Sequence, residues 1–140
     1  MDFGANDITG ESVDAIANLI KALPNLKYLG VQDNMDLDNA AFRKLSRALA
    51  SCEKLEKVNI SCTDIRTSAF KYLVERVSTK PTFKTIVANE VQVNPEEVTK
   101  LPEGMIQGYE DDMFDEEASD DEGGDSEVDE LAEGLANTTV

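Results

Sequence analysis

The apolar residues of this chain recur in a fixed order with a period of 28 to 29 residues. The pattern Leu-x-x-Leu-x-Val-x-x-Asn over residues 26–34 is followed by equivalent segments over 55–63 and 83–91. A second apolar pattern with offsets of five, eight and twelve residues follows the first two segments and a partial earlier copy over residues 3–6; it begins at Ile8, Leu37 and Ile65. A match over strand, turn and helix in three copies indicates a repeated structural unit.

Each unit reads as one short strand with a single buried face, followed by one amphipathic helix. Units of this length are typical of an α/β leucine-rich repeat solenoid of the ribonuclease-inhibitor-like type. We therefore predict parallel strands near residues 28–31, 57–60 and 85–88, with helices on the opposite side of the sheet. The repeats should occupy residues 1–101, as about three and a half units from the C-terminal part of a longer solenoid.

The residue that follows each predicted strand belongs to a structural ladder. An asparagine there can satisfy buried backbone groups, because its amide both donates and accepts hydrogen bonds. Asn6 and Asn34 hold this position, and Thr63 supplies a hydroxyl in the next copy. Val91 supplies no polar atom, so the predicted ladder weakens toward the C-terminal end.

Three residues have the chemistry and position of helix N-caps, namely Asp38, Thr67 and Asn94. Asn94 is the clearest, because Pro95 follows it at the first helical position and two glutamates come next.

The charge of the chain is divided sharply along its length. Residues 1–100 carry all 13 Lys and Arg against 14 Asp and Glu, a net charge of −1. Residues 101–140 carry 15 acidic residues and no basic one. Such a composition cannot bury enough apolar surface to fold, so we predict a disordered acidic tail over 102–140.

Two further features lie within this acidic tail. Ser119 and Ser126 are each followed by acidic residues, which makes them candidate phosphorylation sites. A short amphipathic helix is predicted over 127–136, because four apolar residues fall on one helical face: Val128, Leu131, Ala132 and Leu135.

The chain has few groups suited to catalysis or metal binding. It contains no histidine, no glycine-rich phosphate loop and no zinc spacing, so we predict no enzyme activity, catalytic residue, cofactor or metal. Cys52 and Cys62 are read as reduced structural thiols. No segment is apolar enough to span a membrane, and the negative net charge argues against nucleic acid.

The polar positions of the predicted strands and turns point instead to protein binding. Curved repeat surfaces of this kind are used to bind proteins. The predicted partner-binding residues are Tyr28, Gln32, Asp36, Lys57, Asn59 and Asp64. On the opposite, helical side we predict a modest basic patch of Arg43, Lys44 and Arg47.

Over its whole length the chain resembles the Ran GTPase-activating protein family. Residues 26–34 and 40–49 match the strand and helix consensus of that family, and residues 128–135 are similar to the acidic ending of its fungal-type members. The resemblance implies a crescent that binds GTP-bound Ran, accelerates its GTP hydrolysis and serves nucleocytoplasmic transport. It also implies a protein in the cytoplasm or at the nuclear envelope.

The same resemblance limits what this chain is expected to do alone. In the family, residues of the early repeats position the catalytic glutamine of Ran, and no residue here matches them. We therefore expect this chain alone to bind Ran without accelerating GTP hydrolysis.

Two alternatives remain at this stage. One is a non-catalytic scaffold or inhibitor of the ribonuclease-inhibitor type. The other is an acidic nuclear repeat protein that binds histones or a phosphatase, which the long repeats disfavour.

Overall fold

A computed structural model describes residues 1–114 of the 140-residue chain. The candidate phosphorylation sites Ser119 and Ser126 lie outside the described residues, as does the helix predicted over 127–136.

The described residues form a small mixed α/β domain with a parallel sheet. Helices and strands alternate in the order α1 (Gly10–Lys21), β1 (Tyr28–Gly30), α2 (Asn39–Leu49), β2 (Lys57–Asn59), α3 (Thr67–Val77), β3 (Thr85–Val87), α4 (Pro95–Thr99) and β4 (Ile106–Gln107), followed by a 3₁₀ turn over Asp111–Met113. The four strands pair in chain order, all parallel. The register places Tyr28 beside Lys57, and Lys57 beside Thr85, so residues one period apart in sequence are neighbours in the sheet.

One face of the sheet packs against the helices and forms the core. Its central residues Leu29, Val58 and Ile86 are at most 1% exposed. They share a single apolar cluster with Leu45 of α2 and Leu73 of α3. Each side chain of this size contributes about 1.5–3 kcal/mol when it is fully buried, so this cluster provides most of the driving force for folding. It also explains why the periodic apolar pattern appears in the sequence.

Two of the three predicted helix caps are confirmed. Asp38 accepts a hydrogen bond from the backbone amide of Ala41 at 3.1 Å, and Asn94 accepts one from Glu96 at 2.9 Å. The prediction for Thr67 is wrong, because Arg66 occupies the N-cap position and Thr67 is the first helical residue. The Thr67 hydroxyl instead accepts a hydrogen bond from the Asn94 backbone amide at 3.0 Å, which links it to the next unit.

The ordered sheet extends beyond residue 101, where the sequence prediction ended the repeat region. The backbone amide of Ile86 donates to Met105 at 2.7 Å, and that of Ala88 donates to Gln107 at 2.9 Å, so β4 joins β3. The Tyr109 hydroxyl donates to the Val93 carbonyl at 2.5 Å. The sequence prediction treated 102–140 as one acidic segment and so overlooked these few apolar and aromatic residues. They are enough to hold a two-residue strand on an existing sheet.

The predicted basic patch is also corrected, because Arg43 is only 1% exposed. Its Nη2 donates to Ser68 Oγ at 3.0 Å, which places the guanidinium between α2 and α3. Lys44 remains at the surface, where its Nζ lies 3.1 Å from Asp14 Oδ1. The contact with α3, which lies about one repeat away in sequence, decides that Arg43 is buried.

Replacing Arg43 with methionine is expected to stabilise the protein by about 1–3 kcal/mol. Among residues 1–114 the Arg43 Nε and Nη1 have no hydrogen-bond partner, and a buried charged group with unsatisfied donors costs free energy. Methionine has a similar volume and removes these donors. The midpoint of urea unfolding measures the change, and Lys44→Met is the control, expected to shift stability by about 1 kcal/mol at most. A clear loss of stability in Arg43→Met would contradict this account.

Candidate functional site

The face of the sheet turned away from the core is the candidate site. Side chains alternate along a strand, so the neighbours of the buried Leu29, Val58 and Ile86 point to this side. We call this surface the strand face, and its residues on β1, β2 and β3 are Tyr28, Gly30, Lys57, Asn59, Thr85 and Val87. Residues at equivalent positions of successive units therefore lie in rows across the sheet.

Tyr28 is the largest side chain of the strand face. Lys57 Nζ lies 5.9 Å from the centroid of its ring, within cation–π range. The phenol lies over Gly30, where the absence of a Cβ leaves room for its oxygen. Burial raises the pKa of the Tyr28 hydroxyl above its ordinary value, the Asp2 carboxylate raises it further, and a hydrogen bond with Asn59 acts in the opposite direction. The phenol is thus a neutral, positioned hydrogen-bonding group.

The next row holds amides and a hydroxyl that bind one another across the units. The Asn89 backbone amide donates to Ser61 Oγ at 2.9 Å, and Asn89 Nδ2 donates to the same oxygen at 3.1 Å. The Ser61 backbone amide donates to Asn59 Oδ1 at 3.1 Å. At the other end of the row, Gln32 Nε2 donates to Asp2 Oδ1 at 3.3 Å. These bonds hold the polar surface in place, which lowers the entropy that a partner must remove on binding.

A third row follows at the turns, where Asp33, Cys62 and Glu90 each adopt a left-handed backbone with φ of 59°, 54° and 52°. The Cys62 thiol donates to Glu90 Oε2 at 3.2 Å. Burial raises the pKa of Cys62 to about 12, assisted by hydrogen bonds to Glu90 and Asp33 and by their negative charge. Because the thiolate is the reactive form, this thiol is poorly suited to be a nucleophile or metal ligand.

The grouping of Cys62 with Glu90 was missed in the sequence. The available signal was the spacing, since Asp33, Cys62 and Glu90 are separated by the same 28 to 29 residues as the strands.

Asn34 joins the first two segments of the sheet and is 1% exposed. Its Oδ1 accepts hydrogen bonds from the backbone amides of Asn6 at 3.2 Å and Ile8 at 3.0 Å. Its Nδ2 lies 3.0 Å from each of three carbonyl oxygens, those of Phe3, Val31 and Gln32. This is the ladder role predicted for asparagine at that position.

The other two ladder positions behave differently. The Asn6 side chain is exposed, and Asn6 contributes its backbone amide to Asn34. The amide of Asn34 already satisfies the backbone groups at this place, so the predicted role does not extend to the Asn6 side chain. Thr63 is 4% exposed and its Oγ1 donates to the Ile60 carbonyl at 2.7 Å, within its own turn.

The structure brings together four of the six residues predicted to bind a partner. Tyr28, Lys57 and Asn59 share the strand face, and Gln32 continues it. The remaining two, Asp36 and Asp64, lie in the turns that lead into α2 and α3.

Asp36 and Asp64 also differ from each other. Asp36 is exposed. Asp64 is paired with Arg66, whose Nη2 lies 3.0 Å from Asp64 Oδ1. A carboxylate already held by a neighbouring guanidinium is less available to a partner.

The remaining described surface carries an apolar groove and no cluster of metal-ligating side chains. Among residues 1–114 there is no group of three or more side chains placed to hold a metal ion. An apolar groove of about 350 Å³ lies between α3 and the segment after α4, lined by residues that include Phe70, Val74, Leu101 and Met105. Within the same part of the chain, no helix is long and apolar enough to cross a membrane.

The fold is similar to the solved structure of the leiomodin-1 actin-binding site 2. The TM-score is 0.56 at 11% sequence identity, over 63% of this chain and 51% of that chain. The present chain therefore spans about half the length of the leiomodin structure, and at this identity the similarity shows a shared fold alone. The sequence matches no known protein family and no curated protein sequence.

Proposed function

We propose that this chain belongs to a leucine-rich repeat solenoid that binds GTP-bound Ran on its strand face, as part of a GTPase activator of the Ran type. The register of the sheet carries this proposal. Residues 28 to 29 positions apart in sequence are neighbours across the strands, as a stack of equivalent repeats requires. The choice of partner comes from the sequence resemblance to that family, in which the ending over 128–135 is more specific than residues 26–34 and 40–49.

The chemistry of the strand face suits a protein partner. Tyr28 offers a large amphipathic side chain of the type that often dominates binding energy, and Lys57 adds a charge beside it. Asn89 is exposed and offers an amide that the buried Ser61 hydroxyl already holds in position. The chain contains no histidine, and burial raises the pKa of the Cys62 thiol, so the proposed action is binding and positioning.

Binding to Ran in its two nucleotide states tests this function. The full 140-residue chain is immobilised, and Ran is supplied with a non-hydrolysable GTP analogue or with GDP. We expect the GTP form to bind at least about tenfold more tightly, which corresponds to about 1.4 kcal/mol. Single-turnover hydrolysis with this chain alone is expected to show no acceleration. Equal affinity for both forms would reject a preference for GTP-bound Ran, and no binding to either form would reject Ran as the partner.

Lys57→Glu is expected to weaken binding to GTP-bound Ran by about tenfold or more, because it reverses the charge beside Tyr28. Lys71→Glu is the matched control. Lys71 is exposed on α3, which packs on the opposite side of the sheet, so we expect less than about a twofold change. Circular dichroism verifies that both variants fold. If both substitutions weaken binding equally, the effect reflects net charge and the strand face is not the site.

A non-catalytic scaffold is the second candidate, favoured by the structural similarity to an actin-binding site of leiomodin-1. Monomeric actin is the appropriate probe in the same binding assay. Binding to actin that Lys57→Glu abolishes, together with no binding to Ran, would establish the scaffold function in place of the Ran-specific one.

A further inference from the structure

Two hydrogen-bond donors converge on the hydroxyl oxygen of Ser68. Arg43 Nη2 lies 3.0 Å from Ser68 Oγ, and Asn39 Nδ2 lies 3.2 Å from it. The orientation of the Asn39 amide is set from its other end, where Oδ1 accepts a hydrogen bond from the Arg66 backbone amide at 2.8 Å. The surroundings of this oxygen are therefore arranged to donate hydrogen bonds.

The position of Ser68 in the chain also favours a negative charge at its side chain. It is the second residue of α3, a helix of 11 residues whose first turn contains no acidic side chain. The backbone amides and the dipole at a helix N-terminus favour negative charge. Lys71 follows three residues later, so it lies on the same face of the helix.

Arg43 supplies independent evidence that an anion fits here. Its side chain is buried, with 1% of the residue exposed, and its Nε and Nη1 have no partner among residues 1–114. In a guanidinium group Nη2 is flanked by Nε on one edge and by Nη1 on the other. An anion attached at Ser68 would therefore meet Nη2 and one of these two unsatisfied donors, in the two-point contact that arginine makes with phosphate.

We propose that Ser68 is a phosphorylation site and that Arg43 is the buried partner of its phosphate. A protein kinase would transfer the γ-phosphoryl group of ATP. The Ser68 Oγ–P bond forms, the bond from Pγ to the bridging oxygen of ADP breaks, and the hydroxyl proton leaves to the base of the kinase. The phosphate accepts hydrogen bonds from Arg43 and strengthens the contact between α2 and α3. This inference stands apart from the proposed function, because it concerns the helical side of the fold.

Thermal unfolding of the full chain with phosphoserine incorporated at position 68 during translation tests the proposal. We expect the Tm to rise by about 4–8 °C, and the rise to disappear in the Arg43→Met background. Phosphoserine at Ser12 is the control, because Ser12 is exposed in the first turn of α1 and its hydroxyl lies 3.5 Å from Thr9 Oγ1. It should change the Tm by less than about 2 °C. A Tm that falls, or that rises equally in the Arg43→Met background, overturns the proposal.

A titration followed by ³¹P NMR separates a specific contact from general stabilisation. The second pKa of phosphoserine is ordinarily about 6, and a guanidinium in contact with the phosphate lowers it. We expect a lowered value for phosphoserine at position 68 and a return to about 6 in Arg43→Met. An unshifted second pKa of phosphoserine at position 68 in the chain that retains Arg43 overturns the proposal. Inorganic phosphate added to the unmodified chain is the last arm, and an equal rise in Tm there would identify a site for a bound anion instead of a modification.

Discussion

Replacing Asn34 with alanine is expected to lower the free energy of unfolding by about 3–5 kcal/mol. Its amide oxygen accepts two hydrogen bonds, its two Nδ2 hydrogens are shared among three carbonyl oxygens at 3.0 Å, and the residue is 1% exposed. Alanine removes these bonds and leaves buried backbone groups, including the amide of Ile8, without a partner. Each such group costs about 1–3 kcal/mol, and some regain contact with water as the edge of the sheet loosens. Urea unfolding measures the change.

Two further variants show whether the loss comes from the hydrogen bonds. Asn34→Asp keeps an oxygen for the amides of Asn6 and Ile8 but loses the donor to three carbonyls, so an intermediate loss is expected. Thr63→Ala removes a single hydrogen bond at 2.7 Å from the equivalent position and is expected to cost about 1 kcal/mol. If Asn34→Ala costs no more than Thr63→Ala, the ladder assignment is incorrect.

Alkylation of Cys62 by iodoacetamide at pH 8 is expected to be about 30-fold slower than alkylation of an ordinary exposed cysteine. The pKa of Cys62 is raised from 9.0 to about 12, chiefly by burial and then by Glu90 and Asp33. The thiolate fraction at pH 8 therefore falls by about three orders of magnitude, and the higher intrinsic nucleophilicity of a weaker acid restores about half of that on a logarithmic scale. Mass spectrometry of the modified peptide gives the rate.

The double substitution Asp33→Asn and Glu90→Gln should accelerate this alkylation by about threefold or more, because it removes both carboxylates while the burial of the thiol remains. Asp36→Asn is the matched control, since Asp36 is an exposed acid of the same turn region and does not contribute to the pKa of Cys62. If the control accelerates the reaction as much as the double variant does, local opening explains the rate.

The raised pKa also fixes how Cys62 affects stability as the pH changes. The folded state holds the proton more tightly than the unfolded state does. The contribution of Cys62 to the free energy of unfolding is therefore fully present below the ordinary pKa of 9.0 and is lost as the pH rises toward about 12.

The positions of the strands and the composition of the core were predictable from the sequence. Leu29, Val58 and Ile86 recur at a constant spacing and are all buried, because burial of each strand imposes the same requirement at the same place in every unit. Asp38 and Asn94 were also predictable as caps, since the bonds they make join residues two or three positions apart. Local chemistry and period were sufficient for these features.

Contacts between units decided the remaining features. Arginine usually lies at the surface, yet Arg43 is buried where it donates a hydrogen bond to Ser68, which is 25 residues away in sequence. Threonine is a common helix cap, but the Thr67 hydroxyl accepts a hydrogen bond from the backbone amide of Asn94, 27 residues away in sequence. The pKa of Cys62 is raised first by burial and then by Glu90 and Asp33, which lie 28 and 29 residues away in sequence.

The sequence by itself therefore determined the period, the strands and the buried apolar face, because each depends on residue types at a fixed spacing. Only the tertiary structure decided which polar side chains of adjacent units share a hydrogen bond and which charge is enclosed. Those outcomes depend on the distance between segments that are a full repeat apart, and a local pattern does not encode that distance.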